Sequence, residues 1–313
     1  MSANAPLELR VGVDVGCHSH NVAIGLSTGQ LLDEFDIPHN PEGFRLFFAR
    51  IERQEKKHVC PVAVAMEGFN GYARPLDTLV RGRNYRLFNV NNLKLARFKE
   101  IFPAPAKTDH IDARKCLELF QLRDHLPLAK ATLLEVAATP LENDILKRLT
   151  RRRRRLVSER ARVLNNMQSD LQAVCPGLLE ITADAGNLWF LRFLTSSDSL
   201  TKLARLQRST LLKIPGIGVK YAASIQSWQK SAHFSHEAEL VGEMIQEDAY
   251  RILDLHDKIQ AMEVKLEDIA SRSVIAQKIE TIPGFGAISK SELAGEIGTI
   301  DRFKDEGSLA LYL

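Results

Sequence analysis

The stretch ELRVGVDVG, residues 8 to 16, has the two-residue alternation of a β-strand. One side of it carries only branched aliphatic residues, namely Leu9, Val11, Val13 and Val15. The other side carries Arg10, Gly12 and Asp14, so the acid lies beside a very small residue. This pattern predicts a buried strand that ends next to a carboxylate.

Strand and helix patterns then alternate through about 120 residues, as expected of a sheet covered by helices. Strand patterns follow at 21–27, 30–38, 61–68 and 85–91, and helix patterns at 43–54, 71–82, 93–102 and from about Thr108. In the strand at 61–68, Glu67 repeats the arrangement of Asp14, because it ends the strand on the same side as Ala63 and Ala65. The fold class that we predict is α/β, with a mixed sheet.

The stretch KTDHIDARK, residues 107 to 115, sets two aspartates three positions apart. In a helix capped by Thr108, Asp109 and Asp112 lie on one face, about 5–6 Å apart at Cβ. The apolar stripe that continues this face must pack on the sheet, which directs the two acids to the rim where Asp14 and Glu67 end their strands. Four converging carboxylates need a cation, and hard oxygen ligands suit Mg²⁺ or Mn²⁺. Taken one at a time, an Asp or Glu is more often a solvated surface group or a helix cap than a metal ligand, and it is the combination of the four that favours a metal site.

Composition narrows the class of protein. The 313 residues include 45% hydrophobic and 26% charged residues, enough for a sizeable core and about two domains. No apolar run approaches the roughly 20 residues of a membrane helix, and residues 1–10 lack a signal-peptide pattern, so we expect a cytoplasmic protein. The four cysteines stand far apart, which indicates reduced thiols and gives no zinc motif.

The middle of the chain is predicted to be helical and basic. Apolar residues recur at spacings near three, four and seven from Leu141 to Val174, in the manner of a coiled coil. This helix carries five consecutive arginines, Arg151, Arg152, Arg153, Arg154 and Arg155. Such a run can be a solvated face, but its self-repulsion on a helix favours a polyanionic partner, and we assign it to nucleic acid. A second striped helix, 237–270, predicts a coiled-coil arm with either a homodimer or an intramolecular hairpin.

Two similar segments, LKIPGIGVKYAASI and ETIPGFGAISKSEL, share a Pro-Gly turn before an amphipathic helix. A turn of this kind exposes backbone N–H groups that can hold a phosphate, as in helix-hairpin-helix modules, or it is simply a corner between helices. Lys220 and Lys290, just after the turns, favour the phosphate interpretation. Lys107, beside the paired aspartates, is also assigned to nucleic acid.

Several of these stretches together resemble the insertion-sequence transposases of the family numbered one hundred and ten. The resemblance runs through VGVDVGCHSH, VAMEGFNGY, FKEIFPAPAKTDHIDARKCLEL, IETIPGFG and RFKDEGSLALYL. It implies a RuvC-like domain of RNase H fold, with a D-E-D-D tetrad on Asp14, Glu67, Asp109 and Asp112 that is both catalytic and metal-binding. It also implies DNA ends and target DNA as substrates and a structured guide RNA as partner. The motif V-G-V-D-V-G alone also occurs in actin-like ATPases, but the chain shows no convincing second phosphate loop.

From the resemblance we expect three domains: a RuvC-like domain at 1–140, a helical arm at 141–275 and a C-terminal transposase domain at 276–313. The family places a nucleophilic serine beyond the RF…YL segment, and the sequence stops at Leu313, so we expect a truncated chain and assign no serine nucleophile. Two hypotheses remain, an active recombinase and a non-catalytic nucleic-acid-binding remnant or regulator.

Overall fold

The structure is a computed structural model that describes residues 7–67, 71–101, 109–126 and 132–312. It divides into two compact units, Met1–Ala137 and Ala138–Leu313. Every helix within the described residues is too short or too polar to span a lipid bilayer. The three-domain division predicted from the resemblance stays a prediction.

The first unit is built on a six-stranded sheet with the order β3-β2-β1-β4-β5-β6. The strands are β1 Leu9–Val15, β2 Ser19–Leu26, β3 Leu31–Pro38, β4 Val62–Glu67, β5 Arg86–Val90 and β6 Leu133–Glu135. The first three strands form an antiparallel meander, β4 and β5 continue in parallel from β1, and β6 closes the edge in antiparallel orientation. The predicted mixed α/β sheet is therefore confirmed, and β6 is a short strand that the sequence patterns did not predict.

Helices cover both faces of this sheet, because both faces are apolar. The helices are α1 Pro41–His58, α2 Arg74–Gly82, α3 Asn92–Ile101 and α4 Asp109–Leu122. Large aliphatic side chains of β1 and β4 pack with α1 and α2 in one core. On the opposite face, Ala63 and Ala65 of β4 share a core with Leu95 of α3 and Cys116 of α4. The small residues of the strands thus allow α4 to lie close to the sheet.

The second unit is helical. Its helices are α5 Leu141–Val174, α6 Leu188–Leu194, α7 Leu200–Leu203, α8 Arg208–Leu211, α9 Val219–Gln229, α10 Ala238–Ala270, α11 Val274–Glu280, α12 Ala287–Ile297 and α13 Glu306–Tyr312. The long helices α5 and α10 pack against each other, for example where Leu156 meets Leu255 and Ile259. Of the two arrangements predicted for the striped helices, the intramolecular hairpin is the one present in this chain.

Helix α12 approaches α5 very closely. A Cβ atom added to Gly295 would lie 2.5 Å from the Lys147 backbone nitrogen, a distance that only glycine permits. Leu146 of α5 and Ala294 of α12 share a core with Leu266 of α10. The predicted C-terminal segment therefore packs on both long helices within one unit.

Candidate metal site and nucleic-acid surface

Asp14 and Glu67 lie side by side at the ends of neighbouring strands. The parallel pairing of β1 with β4 runs from Leu9–Val62 to Val13–Met66, and each acid directly follows the last pair. Both lie on the face that α4 covers, because Gly12 and Ala65, two residues before them, contact that helix. Adjacent strands are about 4.8 Å apart, which brings the two carboxylates to one edge of the sheet.

Gly12 sets the position of α4 on this face. An added Cβ atom at Gly12 would lie 2.6 Å from the Leu117 backbone nitrogen and 2.8 Å from the Ala113 carbonyl oxygen. The backbone of α4 therefore rests directly on β1. Asp112 is the residue before Ala113 and is half-buried, so the close packing of α4 brings its side chain to the edge where Asp14 and Glu67 end their strands.

Lys99 of α3 joins two of the predicted ligands. Its Nζ atom lies 3.3 Å from Glu67 Oε2 and 3.2 Å from Asp112 Oδ1. All three side chains are only 20–24% exposed. Burial lowers the pKa of the Lys99 ammonium, but the charges and hydrogen bonds of the two carboxylates outweigh burial and raise the pKa above its ordinary value. A strand acid and a helix acid therefore share one cation.

The floor beneath these acids is a buried thiol. Cys116 donates a long hydrogen bond of 3.8 Å to the Ala65 carbonyl oxygen and is fully buried. Burial raises the pKa of this thiol to about 12, and the nearby carboxylates of Glu67 and Asp14 add to the effect. Because both carboxylates raise the pKa of the Cys116 thiol, Asp14 and Glu67 both lie near this buried side chain.

The acids at this edge of the sheet fit a divalent metal ion in the kind of donor atom that they supply. Carboxylate oxygens are the donors that Mg²⁺ and Mn²⁺ prefer, and the Lys99 ammonium marks the point where a cation is stabilised between Glu67 and Asp112. The Asp109 side chain lies outside the described residues, although its backbone begins α4. Among the described side chains, no group of three or more His, Cys, Asp or Glu has metal-binding geometry. The donor chemistry therefore fits the ion, whereas the described carboxylates do not form a three-ligand group by themselves.

The arginine run is largely engaged within its own unit. The Arg151 guanidinium donates to both carboxylate oxygens of Glu296 at 2.7 and 2.9 Å. Arg153 pairs with Glu263 of α10 at 2.6 Å, and Arg154 pairs with Glu292 of α12. Three members of the run thus attach α5 to its neighbours, whereas Arg152 and Arg155 form no ion pair among the described residues. Sequence reasoning did not separate these two groups, because the acidic partners are more than 100 residues away.

The two Pro-Gly turns have similar backbones but different lysines. Gly216 and Gly284 have φ values of 92° and 94°, in the left-handed region that favours glycine. Lys220 is exposed near the start of α9. Lys290 is only 4% exposed, and its ammonium donates to Glu267 at 2.9 Å and Glu280 at 2.8 Å. Lys290 thus joins α12 to α10 and α11 and lacks the exposed position that a phosphate contact requires. The predicted contact Lys107 lies outside the described residues.

Comparison with known proteins defines the class. The IS110 model of DEDD transposases matches residues 11–176, more than half of the chain. A second model, of the IS116/IS110/IS902 transposase family, matches residues 276–313. Both models describe transposases of insertion elements. The chain therefore belongs to the IS110 family of DEDD transposases.

A curated relative agrees with this assignment. The chain is 23% identical over 310 residues to the insertion element IS116 uncharacterized 44.8 kDa protein of Streptomyces clavuligerus. The alignment covers 96% of this chain and 74% of the relative. The resemblance recognised in the sequence is thereby confirmed at the level of the family.

Proposed function

We propose that the first unit is a RuvC-like domain of RNase H fold that cleaves and transfers DNA strands at the ends of its insertion element, in the cytoplasm. Asp14, Glu67, Asp109 and Asp112 would be the catalytic residues and would hold Mg²⁺ or Mn²⁺. The observation that carries this proposal is the shared contact of the Lys99 ammonium with Glu67 and Asp112, beside Asp14 in the strand register.

Each residue has a role that follows from its place in the fold. Asp14 and Glu67 supply oxygens from adjacent strands of the sheet, and Asp112 supplies one from the helix that packs on it. A bound divalent ion neutralises the charge of a scissile phosphate and favours an oxygen nucleophile near neutral pH. Lys99 holds Glu67 and Asp112 at a common point, which limits the repulsion between the carboxylates before a substrate arrives.

The proposed partners are nucleic acids. DNA is the substrate expected of the family, and we further propose a structured guide RNA held by the second unit. The basic helix α5 supports this proposal, as does the exposed Lys220 at the start of α9. Lys107 is proposed to contact nucleic acid beside the paired aspartates.

A homodimer is also proposed. The apolar stripes of α5 and α10 are used within the chain, so a second subunit would need another surface. Leu240 and Met244, near the start of α10, are 71% and 52% exposed and offer apolar contacts. Light scattering after gel filtration measures the assembly, and a monomer alone and with nucleic acid would contradict the homodimer.

The experiment that tests the proposed activity uses a supercoiled plasmid carrying both junctions of the element that encodes this chain. Nicking or cleavage is expected with Mg²⁺ and is expected to be lost with EDTA, in Asp112→Asn and in Glu67→Gln. Glu118→Gln is the matched control, because Glu118 is exposed on the same helix as Asp112. Equal cleavage by all variants would refute the metal site. Tight binding without any cleavage would instead support a non-catalytic nucleic-acid-binding protein.

A further inference from the structure

Four arginines lie along the outer side of α5. Arg148, Arg152, Arg155 and Arg162 follow one another at spacings of four, three and seven residues, which places them in one row on a helix. All four are exposed, and none forms an ion pair among the described residues. We refer to Arg148, Arg152, Arg155 and Arg162 as the outer arginine row.

The neighbouring arginines are neutralised by acids of the packed helices. Arg151 shares Glu296 with Lys147, whose Nζ atom lies 3.3 Å from that carboxylate. Arg154 pairs with Glu292 of α12. Arg151 and Arg154 therefore each have a carboxylate partner, whereas the members of the outer arginine row have none among the described residues. The five consecutive arginines thus fall into two groups. Arg151, Arg153 and Arg154 form ion pairs with neighbouring helices, and Arg152 and Arg155 belong to the outer arginine row.

One acid interrupts the outer arginine row, and it is neutralised as well. Glu159 lies between Arg155 and Arg162, and its carboxylate pairs with Arg251 of α10 at 2.6 Å. The hydrogen bond from Arg251 lowers the pKa of Glu159 most, and the nearby Arg162 and Arg152 lower it further. Arg152 and Arg162 therefore both lie close to the Glu159 carboxylate, as expected if the outer arginine row lies on one face of α5. Arg251 thus neutralises the negative charge of Glu159, which would otherwise repel a phosphate.

An open cleft borders the row. A cleft of about 1020 Å³ runs along α5 beside α12, and Arg155 and Ser158 line it. The ion-paired Arg151 and Arg154 and their partners Glu296 and Glu292 line it as well. Arg155 thus faces solvent at the edge of a concave surface, where a bulky anion can reach its guanidinium.

We propose that the outer arginine row, assisted by Arg251, is the surface on which this transposase holds a nucleic-acid backbone, and that Arg151, Arg153 and Arg154 are structural. The proposal rests on the proposed function, because it takes a nucleic acid as the partner of the second unit. The row spans 14 residues, or about 21 Å of helix at 1.5 Å per residue. A guanidinium binds phosphate oxygens strongly, and successive phosphates of one strand match a linear row better than isolated anions do.

The test compares two double variants with the same change in net charge. Arg152→Gln/Arg155→Gln removes two members of the row, and Arg151→Gln/Arg154→Gln removes two ion-paired arginines. Binding to duplex DNA and to single-stranded RNA is measured in EDTA over a range of salt concentrations. Loss of two phosphate contacts should reduce the slope of log affinity against log salt by about 1.8 on duplex DNA or about 1.4 on a single strand.

The row variant is expected to show this loss of slope with an unchanged melting temperature. The paired variant is expected to keep the slope and to melt at a lower temperature, because it breaks contacts between α5 and α12. Equal slopes in the wild type and the row variant, or a larger loss in the paired variant, would overturn the assignment. A wild-type chain that binds neither nucleic acid would instead refute the proposed function itself, and the duplex and single-strand arms show which nucleic acid uses the row.

Discussion

Lys99 and Asp112 form an ion pair between α3 and α4, with 3.2 Å from the lysine Nζ atom to the aspartate Oδ1 atom. The same ammonium lies 3.3 Å from Glu67 Oε2. In the absence of a metal ion, this lysine is the cation that keeps the strand acid and the helix acid together. A divalent ion bound by the same oxygens would have to compete with it.

Lys99→Gln should therefore make the stability of the first unit depend more strongly on bound Mg²⁺. Without metal the variant loses a partly buried counter-ion and should be less stable by roughly 1–2 kcal/mol. With Mg²⁺ the two carboxylates regain a cation, so the rise in melting temperature on adding Mg²⁺ should be larger than in the wild type.

Differential scanning fluorimetry in EDTA and in Mg²⁺ measures both effects. Lys115→Gln is the matched control, because this substitution removes the same charge close to Lys99. The Lys115 ammonium donates to the Lys99 carbonyl oxygen at 3.3 Å. An Mg²⁺ shift that is equal in Lys99→Gln and in the wild type would argue against competition at these oxygens.

The strands and helices could be predicted because buried apolar residues recur every second position in a strand and every three or four positions in a helix. Alternation in 8–16 and 61–68 matched β1 and β4, and the apolar spacing from Leu141 to Val174 matched α5. The strand β6, only three residues long, is too short to show a period. Local patterns thus predicted most elements of the first unit and both long helices of the second.

Parts of the site depend on packing between distant segments and were not predictable in this way. The positions of Asp14 and Glu67 could be predicted, because the alternation of apolar residues in the sequence shows where β1 and β4 end. Lys99 reaches Glu67 only because α3 packs beside α4, and nothing in its own segment marks it. Arg151 likewise looks like any other member of the arginine run until α12 brings Glu296 to it.

Gly12 provides a test of how α4 is positioned. Gly12→Val places branched atoms where the α4 backbone lies, with the Cβ position 2.6 Å from the Leu117 nitrogen. The helix must move, so the variant should lose about 3 kcal/mol or more of unfolding free energy. Gly12→Ala should cost roughly 1–3 kcal/mol for the same reason.

Urea denaturation measures these losses. Gly82→Ala is the control, because no atom lies within 4 Å of an added Cβ atom there, and alanine in a helix is neutral or stabilising by up to about 1 kcal/mol. A Gly12→Ala protein as stable as the wild type would show that α4 does not rest on β1 as described.

The cysteines should differ sharply in reactivity. Cys17 is exposed, whereas Cys60, Cys116 and Cys175 are buried. Burial raises the pKa of Cys116 to about 12 and that of Cys175 to about 11, so both thiols stay protonated at about pH 8. Iodoacetamide should label Cys17 in the native protein and label all four only after denaturation. Mass spectrometry of the peptides measures this, and rapid native labelling of Cys116 would contradict the close packing of α4 on the sheet.

His20 links the stability of the first unit to pH. Its Nε2 atom lies 2.8 Å from His39 Nδ1, and its ring packs beside Phe44 with no solvent exposure. The His20 Nδ1 atom has no hydrogen-bond partner among the described residues. Burial, assisted by the charge of His39, lowers the pKa of His20 from 6.5 to about 4. The neutral ring is the form that the fold accommodates.

Lowering the pH from about 6.5 to about 4 should therefore destabilise the protein. In this range the unfolded chain binds a proton at His20 that the folded chain does not bind, which shifts the equilibrium toward unfolding by up to about 3 kcal/mol. His20→Gln cannot titrate, and its amide can still donate a hydrogen bond to His39. The difference in unfolding free energy between wild type and His20→Gln should thus change in favour of the variant as the pH falls through this range. Denaturation midpoints at a series of pH values measure the difference, and a constant difference would show that His20 titrates normally in the folded protein.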